Sequence, residues 1–284
     1  MYRLETLGKK NCRRKYWGLE GGHMTEAFEM LMDLLTRRRS IRRFKPDPLP
    51  NGVIEKILEA GRWAMSGANG QPWEFVVVTD PSVKQALFKL YREQIDDYNF
   101  WIEQMRVSEL RHPAFQLSGS LDEQWKKLQA RPGWADAPAL IVVLGDGRRQ
   151  WTTVMGGHTF GRHQSHLTDG LANACILMHL AAAALGLGSQ WVTIHIEDGF
   201  KRILGVPDVM TLYQIIPVGY PDGAHGRSTR RKLAEMVHYD HYDQKKHMSN
   251  RQIVEYIRAM REKTMSKYIK ASAEKKLKKE EERR

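Results

Sequence analysis

Segments with helical spacing of apolar residues alternate along this chain with short segments that are apolar throughout. The spacing predicts helices over residues 26–36, 51–65 and 169–185, and a further helix that begins at Pro81. Apolar runs bounded by glycine, proline and polar residues predict buried strands at residues 75–78, 139–144, 190–194 and 213–218. The pattern therefore predicts a folded domain in which helices and strands bury a shared core.

Two segments depart from this alternation. Residues 91–136 have a helical composition, but charges separate their aromatic residues, and we interpret the segment as an excursion from the core. A last helix is predicted from Ser249, with Ile253, Ile257 and Met260 forming a stripe that we expect to be buried. The chain is therefore predicted to hold one domain with an inserted excursion and a C-terminal helical extension.

The predicted boundaries divide the chain into an extension over residues 1–23, a domain over residues 24–248 and a basic helical extension over residues 249–284. The first region shows no periodicity, and Glu20-Gly21-Gly22 is a tripeptide that the purine-rich codons of a ribosome-binding site would encode. We hypothesise that Met24 is the native start, so that residues 1–23 are not translated natively. Mass spectrometry of the natively expressed protein tests this hypothesis, and retention of Met1 would refute it.

Composition indicates a globular protein in a reducing compartment. Apolar residues make up 42% of the 284 residues, which supports a substantial core. The two cysteines, Cys12 and Cys175, lie far apart in unlike settings and indicate neither a disulfide framework nor a cysteine-based zinc site. The most apolar later stretch, residues 172–187, is short and interrupted by polar residues, so no signal peptide or membrane span is predicted. We expect a cytoplasmic protein.

The formal net charge of +12 lies mainly at the two ends of the chain. Residues 1–23 hold six Lys and Arg against two Glu, and residues 261–284 hold ten against five acidic residues. A dedicated nucleic-acid surface would concentrate this charge on the folded domain instead. We therefore do not expect nucleic-acid binding, and a weak contact of the ends with a polyanion remains the alternative.

An unusual cluster of cations follows the first predicted helix. Residues 37–44 contain five arginines and Ser40. Guanidinium groups present forked donors that suit phosphate, and a serine hydroxyl adds a further donor, so the cluster is a candidate site for a phosphorylated ligand. The alternative is a solvated helix end, because cations in a last turn interact favourably with the helix dipole.

Three further motifs occur in order after this cluster. A loop of sequence Ser-Gly-Ala-Asn-Gly-Gln-Pro-Trp spans residues 66–73 and leads into a strand, the sequence Leu-Gly-Leu-Gly-Ser at residues 185–189 follows the alanine-rich helix, and Pro-Val-Gly-Tyr-Pro at residues 217–221 precedes further arginines. Together with the arginine cluster, these motifs resemble the nitroreductase superfamily of FMN-dependent oxidoreductases. The resemblance extends from about Met24 to Tyr242.

The resemblance implies an α+β fold in which helices surround a mostly antiparallel sheet. It also implies an intertwined homodimer with two FMN sites at the subunit interface. Residues 24–248 would then form the FMN-binding domain, and the excursion at about residues 91–136 would form a lid over the substrate pocket.

The resemblance also assigns roles to residues. One subunit would supply the phosphate contacts and the flavin edge, the other subunit would supply the loop that approaches the ring, and a C-terminal basic pair would close on the phosphate. The phosphate contacts and the flavin edge would come from Arg38, Arg39, Ser40 and Arg42, and the loop of the other subunit would contribute Ser66, Gly67 and Asn69. Thr193 or a neighbouring backbone group would lie at the flavin N5 edge. The C-terminal basic pair would be Arg231 with Arg230 or Lys232.

The lid implied by the resemblance is rich in aromatic residues that suit a flat aromatic substrate. They are Tyr91, Tyr98, Trp101, Phe115 and Trp125. The alternative is that these side chains pack the lid onto the dimer.

Two other kinds of site are not predicted. His158, His163 and His166 lie close in sequence, but no carboxylate or cysteine at a known ligand spacing accompanies them, so we expect no metal. Gly145-Asp146-Gly147 lacks the strand, glycine and helix context of a dinucleotide fingerprint, which argues against a Rossmann site.

The function implied by the resemblance is an FMN-dependent oxidoreductase. NAD(P)H would reduce the flavin and leave, and an electron-poor nitro, quinone, enone or other aromatic substrate would then take its place in a ping-pong mechanism, with no obligatory protein acid or base. The loop and the Gly-Tyr-Pro sequence also resemble the deiodinase and flavin-destructase branches, so reductive dehalogenation or flavin modification is the alternative enzyme. A non-enzymatic flavin- or polyanion-binding module is the alternative of another class.

Overall fold

A computed structural model describes residues 21–105, 133–149, 163–223 and 230–262 of the chain. Its helices and strands are, in order, α1 (Gly21–Arg37), α2 (Val53–Arg62), β1 (Trp73–Val78), α3 (Pro81–Gln104), β2 (Ala139–Gly145), α4 (His163–Ala184), β3 (Gly188–Ser189), α5 (Asp198–Leu204), β4 (Thr211–Gly219) and a helix α6 over residues 250–262. Short 3₁₀ turns lie at Gly67–Asn69, Trp134–Asp136, Gly147–Arg149, Leu233–Glu235 and Gln244–Lys246.

The four strands form one antiparallel sheet in the order β1-β2-β4-β3. Phe75 lies opposite Val143 in the first pair, and Ile141 lies opposite Ile216 in the second. Every residue of β2 is buried, as expected of a central strand that reads as a continuous apolar run. The prediction of a mostly antiparallel sheet with surrounding helices is confirmed.

Helix α4 packs with α2 on one face of the sheet, where it forms the main core. The buried members of this core come from α2, α4, the strands and the turn before β3, and are Val53, Ile57, Trp73, Ile141, Val143, Leu171, Ala174, Cys175, Met178, Ala182, Leu187, Ile216 and Val218. Residues 166–184 are also apolar and long enough to cross a bilayer by composition. Because one side of α4 is buried against the sheet, we interpret it as a core helix.

A glycine allows α2 and α4 to approach closely. A Cβ added at Gly61 would lie 2.8 Å from Met178 Cγ and 3.5 Å from the carbonyl oxygen of Ala174. The alanine-rich composition of α4 contributes to the same contact, because small side chains let two helices approach.

The prediction of a third strand over residues 190–194 is wrong. The sheet ladder is continuous only over Gly188–Ser189, and Val192 forms a single further bridge to Ile215. The ladder ends there because of Pro217, which lies next to Val218, the residue that pairs with Ser189. The carbonyl oxygen of Pro217 accepts from Gln190 N at 3.4 Å, but a proline has no N–H to return the second bond of the pair.

Two apolar faces that the sequence predicts are not buried within the described chain. On α1, Phe28, Leu31 and Leu35 are 57%, 45% and 42% exposed. On α6, the stripe predicted to be buried is half exposed, as at Ile257 with 50%. The prediction for α6 is therefore wrong for the chain by itself, because periodicity shows which residues share a face but not what covers that face.

The described residues belong to two compact units. The first combines residues 21–85, 133–149 and 163–223, and the second combines residues 86–105 and 230–262. Within the second unit, α6 begins as predicted after Ser249, whose backbone N–H donates to Gln252 Oε1 at 2.8 Å in the manner of a helix cap. The His238 ring stacks on Tyr242 with 4.2 Å between ring centroids.

The contact between α2 and α4 leads to a stability prediction. Gly61→Leu places a branched side chain where Met178 and the α4 backbone already lie, so we expect the free energy of unfolding to fall by about 2 kcal/mol. Chemical denaturation measures this change. Lys56→Leu introduces the same side chain on the exposed face of α2 and serves as the control. Equal stability of the two variants would contradict the proposed close contact.

Candidate functional site

A cavity of about 300 Å³ lies in the first unit, where the arginine cluster meets the turn after α4. The residues that line it come from the end of α1, the end of α4, β3 and the residues after β4, and are Arg37, Arg38, Arg39, Ile41, Ala183, Gly186, Leu187, Gly188, Ser189 and Pro221. Three of the four motifs singled out in the sequence therefore contribute to one cavity.

The segment after α1 is attached to the edge of the sheet by its backbone. Ile41 N donates to the carbonyl oxygen of Ser189 at 3.0 Å, and Lys45 N donates to the carbonyl oxygen of Tyr220 at 2.9 Å. Ile41 and Phe44 are each 4% exposed. Their burial holds the segment against the sheet and leaves the intervening side chains of residues 42 and 43 exposed to solvent.

Gly188 makes this close attachment possible. A Cβ at this position would lie 2.5 Å from Ile41 Cγ1 and 2.9 Å from Ile41 Cβ, which are distances that real side chains do not adopt. Since Ile41 itself is buried, the segment could not move away without losing apolar burial. The glycine is therefore required by packing and not by an unusual backbone angle.

The arginines of the cluster have different environments. Arg37 is exposed and forms an ion pair with Asp33, with 3.3 Å between Nη2 and Oδ2. The Arg39 guanidinium donates to the carbonyl oxygens of Thr36 and Arg38, the latter at 2.7 Å, and so satisfies acceptors that the end of α1 leaves open. Arg38 is partly buried and lines the cavity, whereas Arg42 is exposed and does not line it.

Ser40 joins the cluster to the sheet. It forms a parallel bridge with Ser189 and is partly buried beside the cavity. Ser189 therefore contacts the segment after α1 through Ser40 and Ile41, and it pairs with Val218 of β4 in the sheet.

A buried histidine lies behind this wall of the cavity. His179 on α4 is 3% exposed, and its Nδ1 lies 2.7 Å from Ser189 Oγ. Burial, with a smaller contribution from the nearby Arg38 guanidinium, lowers the pKa of His179 from an ordinary value near 6.5 to about 4. The ring is therefore neutral at pH 7. The sequence does not predict a role for this residue, because the contact joins a helix to a strand ten residues later in the chain.

The loop at residues 66–71 is folded tightly against α4. Gln71 N donates to Ser66 Oγ at 3.0 Å, and Asn173 Nδ2 donates to the carbonyl oxygen of Met65 at 3.1 Å. Ala68 and Asn69 have left-handed backbone angles, with φ of 50° and 54°. An asparagine tolerates this conformation better than most residues, which fits its position in the loop.

Several predicted site residues lie outside the cavity. Ser66, Gly67 and Asn69 belong to the α4-bound loop, and Thr193 is an exposed residue beyond the bridge at Val192. The structure thus brings together Arg38, Arg39 and the residues after α4, and places the loop and Thr193 elsewhere on the first unit.

The predicted C-terminal cations belong to the second unit. Arg231 Nη2 donates to the carbonyl oxygen of Glu235 at 3.3 Å, and its Nε lies 3.6 Å from Glu235 Oε2. Arg230 and Lys232 are exposed. The assignment of these residues to a phosphate remains a prediction.

Three of the predicted lid residues lie on α3 and two lie outside the described residues. Tyr91 is partly buried and stacks with Phe88 at 6.4 Å between centroids. Tyr98 and Trp101 are 50% and 60% exposed. Phe115 and Trp125, with His158, fall outside the described ranges, and the described residues contain no group of three His, Cys, Asp or Glu placed to hold a metal ion.

Residues 35–220 of the chain match the nitroreductase family. Among similar proteins, rat iodotyrosine deiodinase 1 is 28% identical over 210 residues, which cover 72% of this chain and 67% of the relative. A NADH dehydrogenase of Thermus thermophilus is 29% identical, over 71% of this chain and 91% of the relative.

The fold agrees with these relationships. A crystal structure of oxidized iodotyrosine deiodinase bound to FMN and 3-iodo-L-tyrosine superposes with a TM-score of 0.56 and 23% identity, over 75% of this chain and the whole of that chain. The family match covers the arginine cluster, the loop, the core helix and the last strand with its Gly-Tyr ending. The chain therefore belongs to the nitroreductase family of oxidoreductases.

Proposed function

We propose that this protein is an FMN-dependent oxidoreductase whose phosphate-binding site is the cavity beside the arginine cluster. The observation that carries the proposal is the position of Arg38, which is partly buried at a cavity that the turn at residues 186–189 also lines. Guanidinium donors in a partly enclosed site suit a phosphate dianion. The similar deiodinase structure is described as bound to FMN, which supports flavin mononucleotide as the ligand.

The arrangement of the two arginines at the end of α1 supports an anion. The C-terminal end of a helix is negative and would repel a phosphate. Arg39 covers that end by donating to the carbonyl oxygens of Thr36 and Arg38. The Arg38 side chain is then available to bind the phosphate, while Arg39 offsets the negative helix end behind it.

The size of the cavity fits one end of the cofactor. A volume of about 300 Å³ is at the low end of ligand cavities, so it suits the phosphate and part of the ribityl chain but leaves the flavin ring outside. We propose that the ring lies over the exposed surface near Arg42 and Thr193. A guanidinium at the N1 edge of the ring would stabilise negative charge there and would orient the cofactor.

Bound FMN would supply the redox chemistry, by accepting a hydride from NAD(P)H and passing it to an electron-poor substrate. The protein residues then have the tasks of binding the phosphate, orienting the ring and excluding water. The similarity to a protein named NADH dehydrogenase supports a nicotinamide donor.

A second candidate is reductive dehalogenation of a halogenated aromatic substrate. The observation that favours it is the similarity to iodotyrosine deiodinases from a rat and from the bacterium Haliscomenobacter hydrossis, at 28% and 29% identity. The exposed aromatic residues of α3, Tyr98 and Trp101, would suit an aromatic substrate in either candidate.

We also propose that the protein functions as a homodimer. The apolar face of α1 formed by Phe28, Leu31 and Leu35 is exposed in the single chain, and a contiguous exposed apolar face favours association. Ile176, which lies on the buried helix α4, is also 41% exposed. A second copy that covers these faces would bring its own loop, residues 66–69, to the site, as the family resemblance implies.

Arg38→Ala removes the guanidinium that we place on the phosphate, and we expect the dissociation constant for FMN to rise by about 10- to 100-fold. Quenching of flavin fluorescence during titration of the apoprotein measures the constant. Arg43→Ala is the matched control, because Arg43 is an exposed arginine of the same segment outside the cavity. Equal FMN affinity of the two variants would refute the role of Arg38.

The two candidate reactions are distinguished by anaerobic stopped-flow absorbance of the FMN-loaded protein. For the first, we expect NADH or NADPH to bleach the flavin within seconds and a nitroaromatic or quinone to restore its absorbance. For the second, nicotinamides would bleach it slowly or not at all, and dithionite-reduced protein would be reoxidised by 3-iodotyrosine. A purified protein that cannot be reconstituted with FMN would rule out both reactions.

Leu31→Glu introduces a charge on the apolar face of α1 and should shift the protein from dimer to monomer at micromolar concentration, with loss of FMN affinity. Light scattering coupled to size exclusion measures the mass. Glu29→Gln on the same helix is the control, since Glu29 is an exposed polar residue. A wild-type protein that is monomeric at the same concentration would contradict the dimer.

A further inference from the structure

His179 and Ser189 form a buried polar pair that the proposed chemistry does not use. The two residues are 3% and 2% exposed, and Nδ1 of one lies 2.7 Å from Oγ of the other. Ser189 lines the cavity, while His179 lies behind it on the core helix α4. The pair therefore connects the main core to one wall of the cavity.

Ser189 is the residue on which the arginine cluster rests. Its carbonyl oxygen accepts the backbone hydrogen bond from Ile41, and its backbone pairs with Val218 in the sheet. A shift of Ser189 would move Ile41 and, three residues before it, Arg38. An interaction that fixes the position of Ser189 therefore also fixes the position of Arg38, which we propose binds the phosphate.

The histidine is a costly choice for a purely structural role. Its Nε2 is buried and has no hydrogen-bond partner among the described residues, so either tautomer leaves this ring nitrogen unsatisfied there. A buried unsatisfied polar atom costs about 1–3 kcal/mol, whereas an apolar side chain of the same shape would avoid this cost. The hydrogen bond to Ser189 is the interaction that such a replacement would lose.

The surroundings hold the ring in one orientation and in one charge state. The His179 ring stacks on Trp191 at 6.0 Å between centroids, and Trp191 in turn meets the edge of Tyr213 at 5.9 Å. Burial and Arg38 keep the ring neutral at pH 7, so it does not add a second positive charge behind the cavity. The ring stacking and the neutral charge state both favour a permanent hydrogen bond to Ser189, and not a side chain that gains and loses a proton near pH 7.

We infer that His179 is a positioning residue for the proposed FMN phosphate site, acting through its hydrogen bond to Ser189. The inference rests on the proposed function. It predicts that the pair affects the phosphate end of the cofactor and not the flavin ring, because Ser189 contacts the arginine segment directly.

His179→Phe and Ser189→Ala test this inference. Phenylalanine keeps a ring against Trp191 but cannot form the hydrogen bond to Ser189, and alanine removes the Ser189 hydroxyl. We expect each variant to weaken FMN binding about tenfold while riboflavin, which lacks the phosphate, binds within twofold of its wild-type affinity. The double variant should bind FMN no more weakly than either single variant, because both remove the same interaction.

The possible results separate this inference from the proposed function. A lower thermal midpoint with unchanged FMN affinity, or equal losses for FMN and riboflavin, would overturn the positioning role and leave the proposed function intact. Wild-type protein that does not bind FMN would overturn both. If His179→Phe does not fold, Ser189→Ala alone tests the inference, because it is the smaller change and lies at the cavity wall. Wild-type FMN affinity in the Ser189→Ala variant would then refute the inference.

Discussion

The proposed site depends on the hydrogen bond between Ile41 N and the carbonyl oxygen of Ser189. It holds the residues that follow α1 along the edge of the sheet, so that the arginines lie beside the turn after α4. Burial of Ile41 and the missing Cβ of Gly188 make this contact close. Without it, the arginines would form the solvated end of a helix and would not converge on a cavity.

This constraint explains why neighbouring arginines have different roles. Arg37 pairs with Asp33 in solvent, Arg39 caps the end of α1, and Arg38 alone of these three is left for a ligand inside the cavity. The two interpretations of the cluster, an anion site and a solvated helix end, therefore apply to different members of it. Composition could not separate them, because the difference arises from where the chain leaves the helix.

Local patterns predicted the elements well and the tertiary contacts poorly. The apolar run of β2 and the spacing of α4 were sufficient to predict a buried strand and a core helix, because β2 is buried along its length and α4 is buried along one side. The short β3 was predicted too far along the chain, since its end depends on the pairing register with Pro217. His179 could not be predicted for the same reason, because its partner Ser189 is brought close only by the packing of α4 on the sheet.

Within the described residues, the apolar face of α1 is exposed, and it is the face that we propose a second copy covers. Binding of the FMN phosphate at the cavity beside Arg38 is tested most directly by titrating the wild-type apoprotein with FMN and with riboflavin, which lacks the phosphate. The charge-assisted contact that we propose between Arg38 and the phosphate predicts that FMN binds about 10- to 100-fold more tightly than riboflavin. Equal affinities for the two flavins would contradict the assignment of the cavity beside Arg38 to the cofactor phosphate.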